Sequence, residues 1–113
     1  MLPKTSRLRK TKDIERVFKK GKAYKEGFLI LKLLKNNLAV GRFAFVVGQK
    51  VSKKANIRNK TKRRMREATR KKMPNIRPGF DGIFIALKGL ETKNYRETEE
   101  TIGQLLRKAG VCR

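Results

Sequence analysis

The feature that most constrains this chain is a run of positive charge between positions 50 and 72, which holds 12 Lys or Arg residues and one acid, Glu67. Beyond about Ser52 the run has a helix-forming composition, and Pro74 cannot continue a helix. We therefore predict a long and strongly basic helix in the middle of the chain.

Residue spacing assigns two faces to this helix. Like charges four residues apart destabilise an isolated helix by roughly a few tenths of a kcal/mol per pair, so the basic face needs an anion nearby. The members of the basic face recur at four-residue spacing and are Arg58, Lys62, Arg66 and Arg70. The packing face is a thin stripe of Ile57, Thr61, Met65 and Ala68.

The charge of the whole chain indicates the class of partner. Its 113 residues include 32 Lys or Arg and nine Asp or Glu, a formal charge of +23, so a polyanion is needed to offset the self-repulsion. Nucleic acid and an anionic membrane surface are the two candidates. A membrane-surface helix requires a broad apolar face, and the packing stripe is too thin and too polar for one. Nucleic acid is therefore the expected partner.

Several kinds of chemistry are disfavoured by what the sequence lacks. Histidine, the commonest general base and metal ligand, is absent, and the one cysteine, Cys112, cannot form a disulfide within the chain. Acids at Glu97, Glu99 and Glu100 fit the first turn of a helix better than a metal cage. Because there is no signal-peptide pattern and no run of 18 apolar residues, we expect a cytoplasmic protein without membrane contact.

The length allows one domain, which we predict over residues 1–113 with a basic arm at 1–10. Apolar spacing predicts a first helix that begins with Thr11 as its cap and stops at Gly21. An amphipathic last helix opens with Asn94 and its acidic partner Glu97 and ends at Gly110.

Strands are predicted at 27–35, 41–48 and 83–87, with a hairpin-like connection after the first of them at Asn36-Asn37. In the second strand, alternation puts three large residues on one face, namely Phe43, Phe45 and Val47. The opposite face carries the smaller Ala44, Val46 and Gly48.

The residue order between Arg42 and Glu67 resembles the motif of the bacterial ribonuclease P protein family. The matching parts are the strand that opens at Arg42, the Lys53-Lys54-Ala55 stretch, and Arg58-Asn59 followed by Lys62-Arg63 and Arg66-Glu67. The resemblance extends over nearly the whole chain, from Arg7-Leu8 to the last helix. Departures include Ala44 in place of a usual Gly, Ile14 in place of a common Phe, and Leu31 in place of a frequent aromatic residue.

The resemblance implies an α/β (α+β) two-layer sandwich in the order α-β-β-β-α-β-α. The basic helix would lie in a left-handed βαβ crossover, although right-handed crossovers are found in about 98% of cases. One of the three early strands implied by the family cannot be located from the residue pattern.

The resemblance also implies a function. The chain would be the protein subunit of a ribonucleoprotein endonuclease that removes the 5′ leader from precursor tRNA, with no catalytic residue of its own. The catalytic RNA would carry out the chemistry with Mg²⁺ held by RNA and substrate. The expected partners are that RNA and precursor tRNA, with no obligate protein partner. A small ribosomal or nucleoid protein remains the alternative, because it would explain the charge equally well.

Two sets of site residues follow from the resemblance and the helix geometry. The set expected to bind the catalytic RNA is Lys53, Lys54, Arg58, Asn59, Lys62, Arg63 and Arg66. The set expected to bind the leader, in a trough on the sheet face, is Ile14, Phe18, Leu31, Val46, Lys50 and Lys88. Ordinary sheet packing remains an alternative for Leu31 and Val46, as core packing does for Phe18, which would be the main stacking aromatic.

Overall fold

A computed structural model describes residues 2–112, and within them one four-stranded sheet packs against three α-helices. The predicted order of elements is confirmed. The elements are α1 (Thr11–Lys20), β1 (Lys22–Glu26), β2 (Leu29–Lys35), β3 (Arg42–Val46), α2 (Ala55–Lys72), β4 (Phe80–Ala86) and α3 (Tyr95–Lys108). None of the helices in this part of the chain is long and apolar enough to cross a membrane.

The strands lie side by side in the order β1-β2-β4-β3. β2 is antiparallel to both β1 and β4, whereas β3 runs parallel to β4 at the edge. The predicted hairpin-like connection at Asn36-Asn37 is therefore wrong, because β4 inserts between β2 and β3. The parallel β3-α2-β4 unit is the expected crossover, and its left hand stays a prediction.

The strand that the residue pattern could not locate is β1, which forms the other edge of the sheet. Its sequence is Lys-Ala-Tyr-Lys-Glu, and Tyr24 and Glu26 are its half-buried residues. Strand prediction relies on alternation of apolar and polar residues, and this edge strand buries too little to show it.

The sheet separates two apolar clusters. On the side of α2 and α3, Phe84 stacks on both Phe43 and Phe45, with ring centres 5.8 Å apart in each pair. On the side of α1, a smaller cluster is built on Leu8, Val17 and Ile83. The predicted split of β3 into a large-residue face and a small-residue face is confirmed.

The basic arm is packed against the edge strand. Leu2 and Leu8 are buried, Arg7 pairs with Phe43 in parallel, and the Leu8 amide donates to the Phe43 carbonyl at 2.9 Å. The arm thereby pairs with the free edge of β3 at Phe43. Met1 of the predicted arm, like the end of the predicted domain at Arg113, lies outside the described residues.

One predicted helix cap is confirmed and the other is wrong. Asn94 and Glu97 form a reciprocal capping box, with bonds of 2.8 and 3.2 Å between each side chain and the other residue's amide. Thr11 is instead the first helical residue of α1, and Lys10 precedes the helix without a side-chain cap.

Candidate nucleic-acid interface

The outer side of α2 presents an open groove of about 530 Å³ that polar residues line throughout. Four of them belong to the predicted RNA-binding set, and the fifth is a second asparagine. These residues are Asn56, Asn59, Lys62, Arg63 and Arg66, which we call the α2 groove. Charged donors flanked by amides can bind phosphates and sugar or base edges, so this groove suits an RNA strand.

The inner side of α2 holds the helix against the rest of the protein. Thr61, Met65 and Ala68 are buried as the stripe predicts, and Thr69 joins them. Arg64, which stands between groove residues in the sequence, donates from Nη1 to the carbonyl of Lys93 at 2.8 Å. The residues that line the α2 groove and those that anchor the helix therefore alternate along α2.

Arg58 is tied to the loop before its own helix. Its Nη1 donates to the carbonyls of Ser52 and Lys53, each at 3.0 Å, and so fixes the segment that carries Lys53 and Lys54. Both lysines are exposed at the start of α2. The structure thus places these three predicted residues at one end of the helix, next to the α2 groove.

The sheet face on the side of α1 is only partly covered by that helix. Ile83 is fully buried beneath α1, whereas Ala44 and Ile85 are half-buried and Val46 is 36% exposed. Register through β4 places Ile30 beside Ile85 on the same face. We call this uncovered strip of Ile30, Ala44, Val46 and Ile85 the trough.

The placement of Leu31 in the trough is wrong. Leu31 is completely buried in the main core, and register pairs it with Phe84, which stacks on Phe45. The prediction placed Leu31 on the same face of the sheet as Val46. Because β4 lies between β2 and β3, the faces of these two strands can be compared only through their registers with β4. The trough-facing residues of β2 are its neighbours Ile30 and Lys32.

Phe18 lies on the helix that borders the trough and is 39% exposed. The alternative of core packing is therefore wrong for Phe18, and its neighbour Val17 is the buried residue. The ammonium of Lys32 sits 5.4 Å from the Phe18 ring centre and donates to the Phe18 carbonyl at 3.0 Å. Lys32 was not among the predicted site residues, because its β2 neighbours indicate only a buried strand. An exposed ring beside an ammonium suits a stacked base and its phosphate.

Two predicted lysines lie where β3 and β4 end. Lys50 is exposed in the turn closed by the bond from the Val51 amide to the Gly48 carbonyl. Lys88 follows β4, is mostly exposed, and lies 3.4 Å from the Val51 carbonyl and 3.7 Å from a Glu91 oxygen. Both lysines therefore lie at the end of the sheet where Val46, a trough residue, completes β3.

A second groove, of about 350 Å³, connects the trough to α2 along the edge of β3. Ile14, Ala44 and Val46 supply apolar lining, and Lys62 and Arg66 border it. The same Lys62 and Arg66 line the α2 groove. Arg7 and Arg9 of the basic arm also line the connecting groove, and neither was among the predicted site residues. The two predicted binding surfaces are therefore continuous.

In the part of the chain that the structure describes, side chains that could bind a metal ion are not clustered. Among residues 2–112 no three His, Cys, Asp or Glu side chains form a group that could hold a metal ion. The acids of α3 serve local roles instead, such as the Glu97 capping box and the bond from the Tyr95 hydroxyl to Glu99 at 3.0 Å.

Comparisons with known proteins agree on one family. The family model described as Ribonuclease P matches residues 2–110. A Ribonuclease P protein component from Synechocystis is 38% identical over 97% of this chain and 90% of its own length. One from Clostridium botulinum is 34% identical over 96% of this chain and 97% of its own length.

Solved structures show the same similarity. The Staphylococcus aureus RNase P protein superposes with a TM-score of 0.86 at 25% identity, covering 96% of this chain and 98% of that chain. The Thermotoga maritima RNase P protein, in complex with 1-(4-fluorophenyl)-2-thiourea, gives a TM-score of 0.83 at 33% identity, covering 90% and 98% respectively.

Proposed function

The chain belongs to the ribonuclease P protein family, and on that premise we propose that its α2 groove binds the ribonuclease P RNA and its trough binds the 5′ leader of precursor tRNA. As a ribonuclease P protein component, it is part of the ribonucleoprotein that processes the 5′ ends of tRNA. What we propose is that the two surfaces bind different RNAs, the α2 groove the RNA subunit and the trough the leader.

The observation that carries this proposal is the continuity of the two surfaces through Lys62 and Arg66. Leader and catalytic RNA meet at the cleavage site, so a protein that binds both must present adjoining surfaces for them. The α2 groove is rich in charge and suits a folded RNA backbone. The trough is apolar with cations around it, which suits unstacked bases of a single strand.

The chemistry in this proposal belongs to RNA. The protein would neutralise phosphates and hold the leader, while Mg²⁺ is bound by RNA and substrate oxygens, the hard ligands that this ion prefers. Asp81 and Asp13, which could otherwise ligate a cation, are engaged by Arg42. A cytoplasmic location, where precursor tRNA is processed, also belongs to the proposal.

The direct test is cleavage of precursor tRNA by a ribonuclease P RNA at low Mg²⁺, with and without the protein. We expect the protein to restore cleavage at the leader junction. Tight, salt-sensitive RNA binding without any stimulation would contradict the proposal and favour a generic RNA-binding protein.

A charge-matched pair tests the assignment of the α2 groove. Arg66→Ala removes a groove residue, and Arg107→Ala removes an exposed arginine on α3. In titrations of the RNA subunit at several salt concentrations, we expect Arg66→Ala to lower the salt slope by about one phosphate contact. Arg107→Ala should leave it unchanged, and equal slopes for the two variants would remove the groove assignment.

A further inference from the structure

A buried carboxylate ties together the elements around the start of the trough. Asp81, the second residue of β4, has a side chain that is 1% exposed. Its oxygens accept hydrogen bonds from Arg42 Nε at 2.8 Å, Arg42 Nη2 at 2.6 Å and Asn36 Nδ2 at 2.8 Å. A buried charge is stable only with such partners. Here Asp81 is on β4, Arg42 is on β3, and Asn36 is in the chain after β2, so the contact joins all three segments.

The same arginine reaches out to α1. Arg42 Nη1 lies 3.4 Å from Asp13 Oδ2, so one guanidinium bridges a carboxylate of the sheet and one of the helix. Arg16 strengthens the link, because its Nη2 lies 3.5 Å from Asp13 and 3.8 Å from Asp81. The hydrogen bonds that Arg42 donates to Asp81 raise the pKa of Arg42 above its usual value, against the opposing effect of burial.

The other end of α1 is held by a different polar contact. Lys32 on β2 donates to the carbonyl of Phe18 in the last turn of the helix at 3.0 Å. Between these two ends α1 buries a single side chain completely, Val17, while Ile14 is half-buried. With so little apolar contact, the polar links at both ends decide where the helix lies on the sheet.

The position of α1 matters because this helix forms one wall of the trough. Phe18 projects beside Lys32, and Ile14 lines the groove that continues towards α2. A shift of the helix by about an ångström would change the spacing between the Phe18 ring and the trough floor, and stacking falls off steeply with such a gap.

We propose that Asp13 is a positioning residue for leader recognition, acting through the Asp13–Arg42–Asp81 chain that sets α1 at the distance from the sheet that a single-stranded leader requires. This inference rests on the proposed function of the trough. Asp13 itself touches no substrate in this proposal. Its placement in the first turn also favours the helix dipole, so the test must separate the two effects.

Two neighbouring acids of α1 provide the test. Asp13→Asn and Glu15→Gln each remove one negative charge from the same helix, but Glu15 is exposed on its outer side. Removing an acid from an RNA-binding protein should by itself tighten RNA binding. If Asp13 positions α1, Asp13→Asn should instead weaken leader binding. Loss of charge and loss of positioning therefore change the affinity in opposite directions.

The measurement is the affinity of the assembled holoenzyme for a precursor tRNA and for the same tRNA without its leader. We expect Asp13→Asn to reduce the affinity gained from the leader by about 5-fold or more. This is less than the loss of a whole stacked base, because Phe18 itself remains. Affinity for the leaderless tRNA and for the RNA subunit should not fall, and Glu15→Gln should keep the full leader gain. Asp13→Glu, which keeps the carboxylate, should recover most of the loss.

A second variant covers the case in which Asp13→Asn unfolds. Arg42→Lys keeps the charge but cannot hold both carboxylates with a planar fork, and it should show the same leader-specific loss at a temperature where circular dichroism shows it folded. If both folded variants keep the affinity that the wild-type protein gains from the leader, the positioning inference is wrong while the proposed function of the trough stands. If the wild-type holoenzyme shows no leader gain, the proposed function of the trough fails, and this inference fails with it.

Discussion

Arg64 donates a hydrogen bond from Nη1 to the carbonyl oxygen of Lys93 at 2.8 Å, and so turns away from the α2 groove. This bond ties α2 to the chain just before α3. Its neighbour Arg63 is exposed and lines the α2 groove. Two adjacent arginines of one motif therefore have different physical roles.

These neighbours form a matched pair for mutation. We expect Arg64→Ala to lower the free energy of unfolding by about 1–2 kcal/mol, because the half-buried Lys93 carbonyl loses a charged donor. Arg63→Ala should change stability by less than about 0.5 kcal/mol, as is usual for exposed sites, while weakening binding of the RNA subunit. Urea unfolding and RNA titration of both variants check this. Equal stability losses would contradict the assignment of Arg64 as the anchor.

Two phenylalanines with similar exposure and a similar lysine contact test the trough. Phe18 is 39% exposed and Phe28 is 41% exposed, and each ring has a lysine ammonium 5.4 Å from its centre. Phe18 borders the trough, whereas Phe28 lies at the β1-β2 turn, against Gly89.

We expect Phe18→Ala to weaken holoenzyme binding of precursor tRNA by about 1–3 kcal/mol, the contribution of one base stacked on an aromatic ring. Phe28→Ala should leave this affinity unchanged at a temperature where both variants are folded. The difference should vanish when the leader is removed from the substrate. An equal loss from both variants would point to a general effect on folding.

Tyr95 offers a pH-dependent prediction. Burial, followed by the hydrogen bond from its hydroxyl to Glu99, raises the pKa of Tyr95 to about 12. Because the folded state favours the neutral phenol, this stabilisation is present below about pH 10 and is lost as the pH rises towards 12. Glu99→Gln removes the nearby negative charge, so we expect the pKa of Tyr95 to fall towards its ordinary value.

Ultraviolet absorbance of the tyrosinate measures this titration directly. A Tyr24→Phe background leaves Tyr95 as the one tyrosine of the chain. A Tyr95 transition that does not move in the Glu99→Gln variant would show that the carboxylate contributes nothing to it.

Two glycines with positive φ separate backbone strain from steric overlap. Gly110 has φ +77° with open space around the position of a β-carbon, whereas Gly89 has φ +117° and a β-carbon there would lie 2.7 Å from the Phe28 ring. We expect Gly110→Ala to cost about 1–2 kcal/mol from strain alone. Gly89→Ala should cost about 1–3 kcal/mol more, because the ring must also move. Thermal or urea unfolding of the two variants gives the comparison.

Local patterns predicted the elements whose own residues carry the information. The spacing of Thr61, Met65 and Ala68 predicted the buried side of α2, and Asn94 with Glu97 predicted the start of α3. Prediction failed where the decision lay elsewhere in the chain. β1 buries too little to show alternation, and the β2-β3 connection looked like a hairpin because nothing near Asn36 indicates that β4 will insert.

The site shows the same division. Asn59, Lys62, Arg63 and Arg66 line one groove because helix periodicity alone brings them together. Leu31 was misplaced, and Lys32, Arg7 and Arg9 were not predicted, because their positions depend on register and on packing of the arm against β3. Those contacts join residues that are far apart in sequence, and no local pattern encodes them.

The sequence by itself determined the basic helix, its two faces and the class of partner, because these depend on charge and on spacing within short segments. Its residue order also carries the resemblance to the family. Tertiary structure alone decided that the α2 groove and the trough are continuous through Lys62 and Arg66. It also decided that Asp81 and Arg42 join α1 to the sheet through Asp13. The physical reason is that both relationships join residues that are far apart in the sequence. The connecting groove needs the arm, α1, β3 and α2 packed together, and the Arg42–Asp81 ion pair needs β4 beside β3.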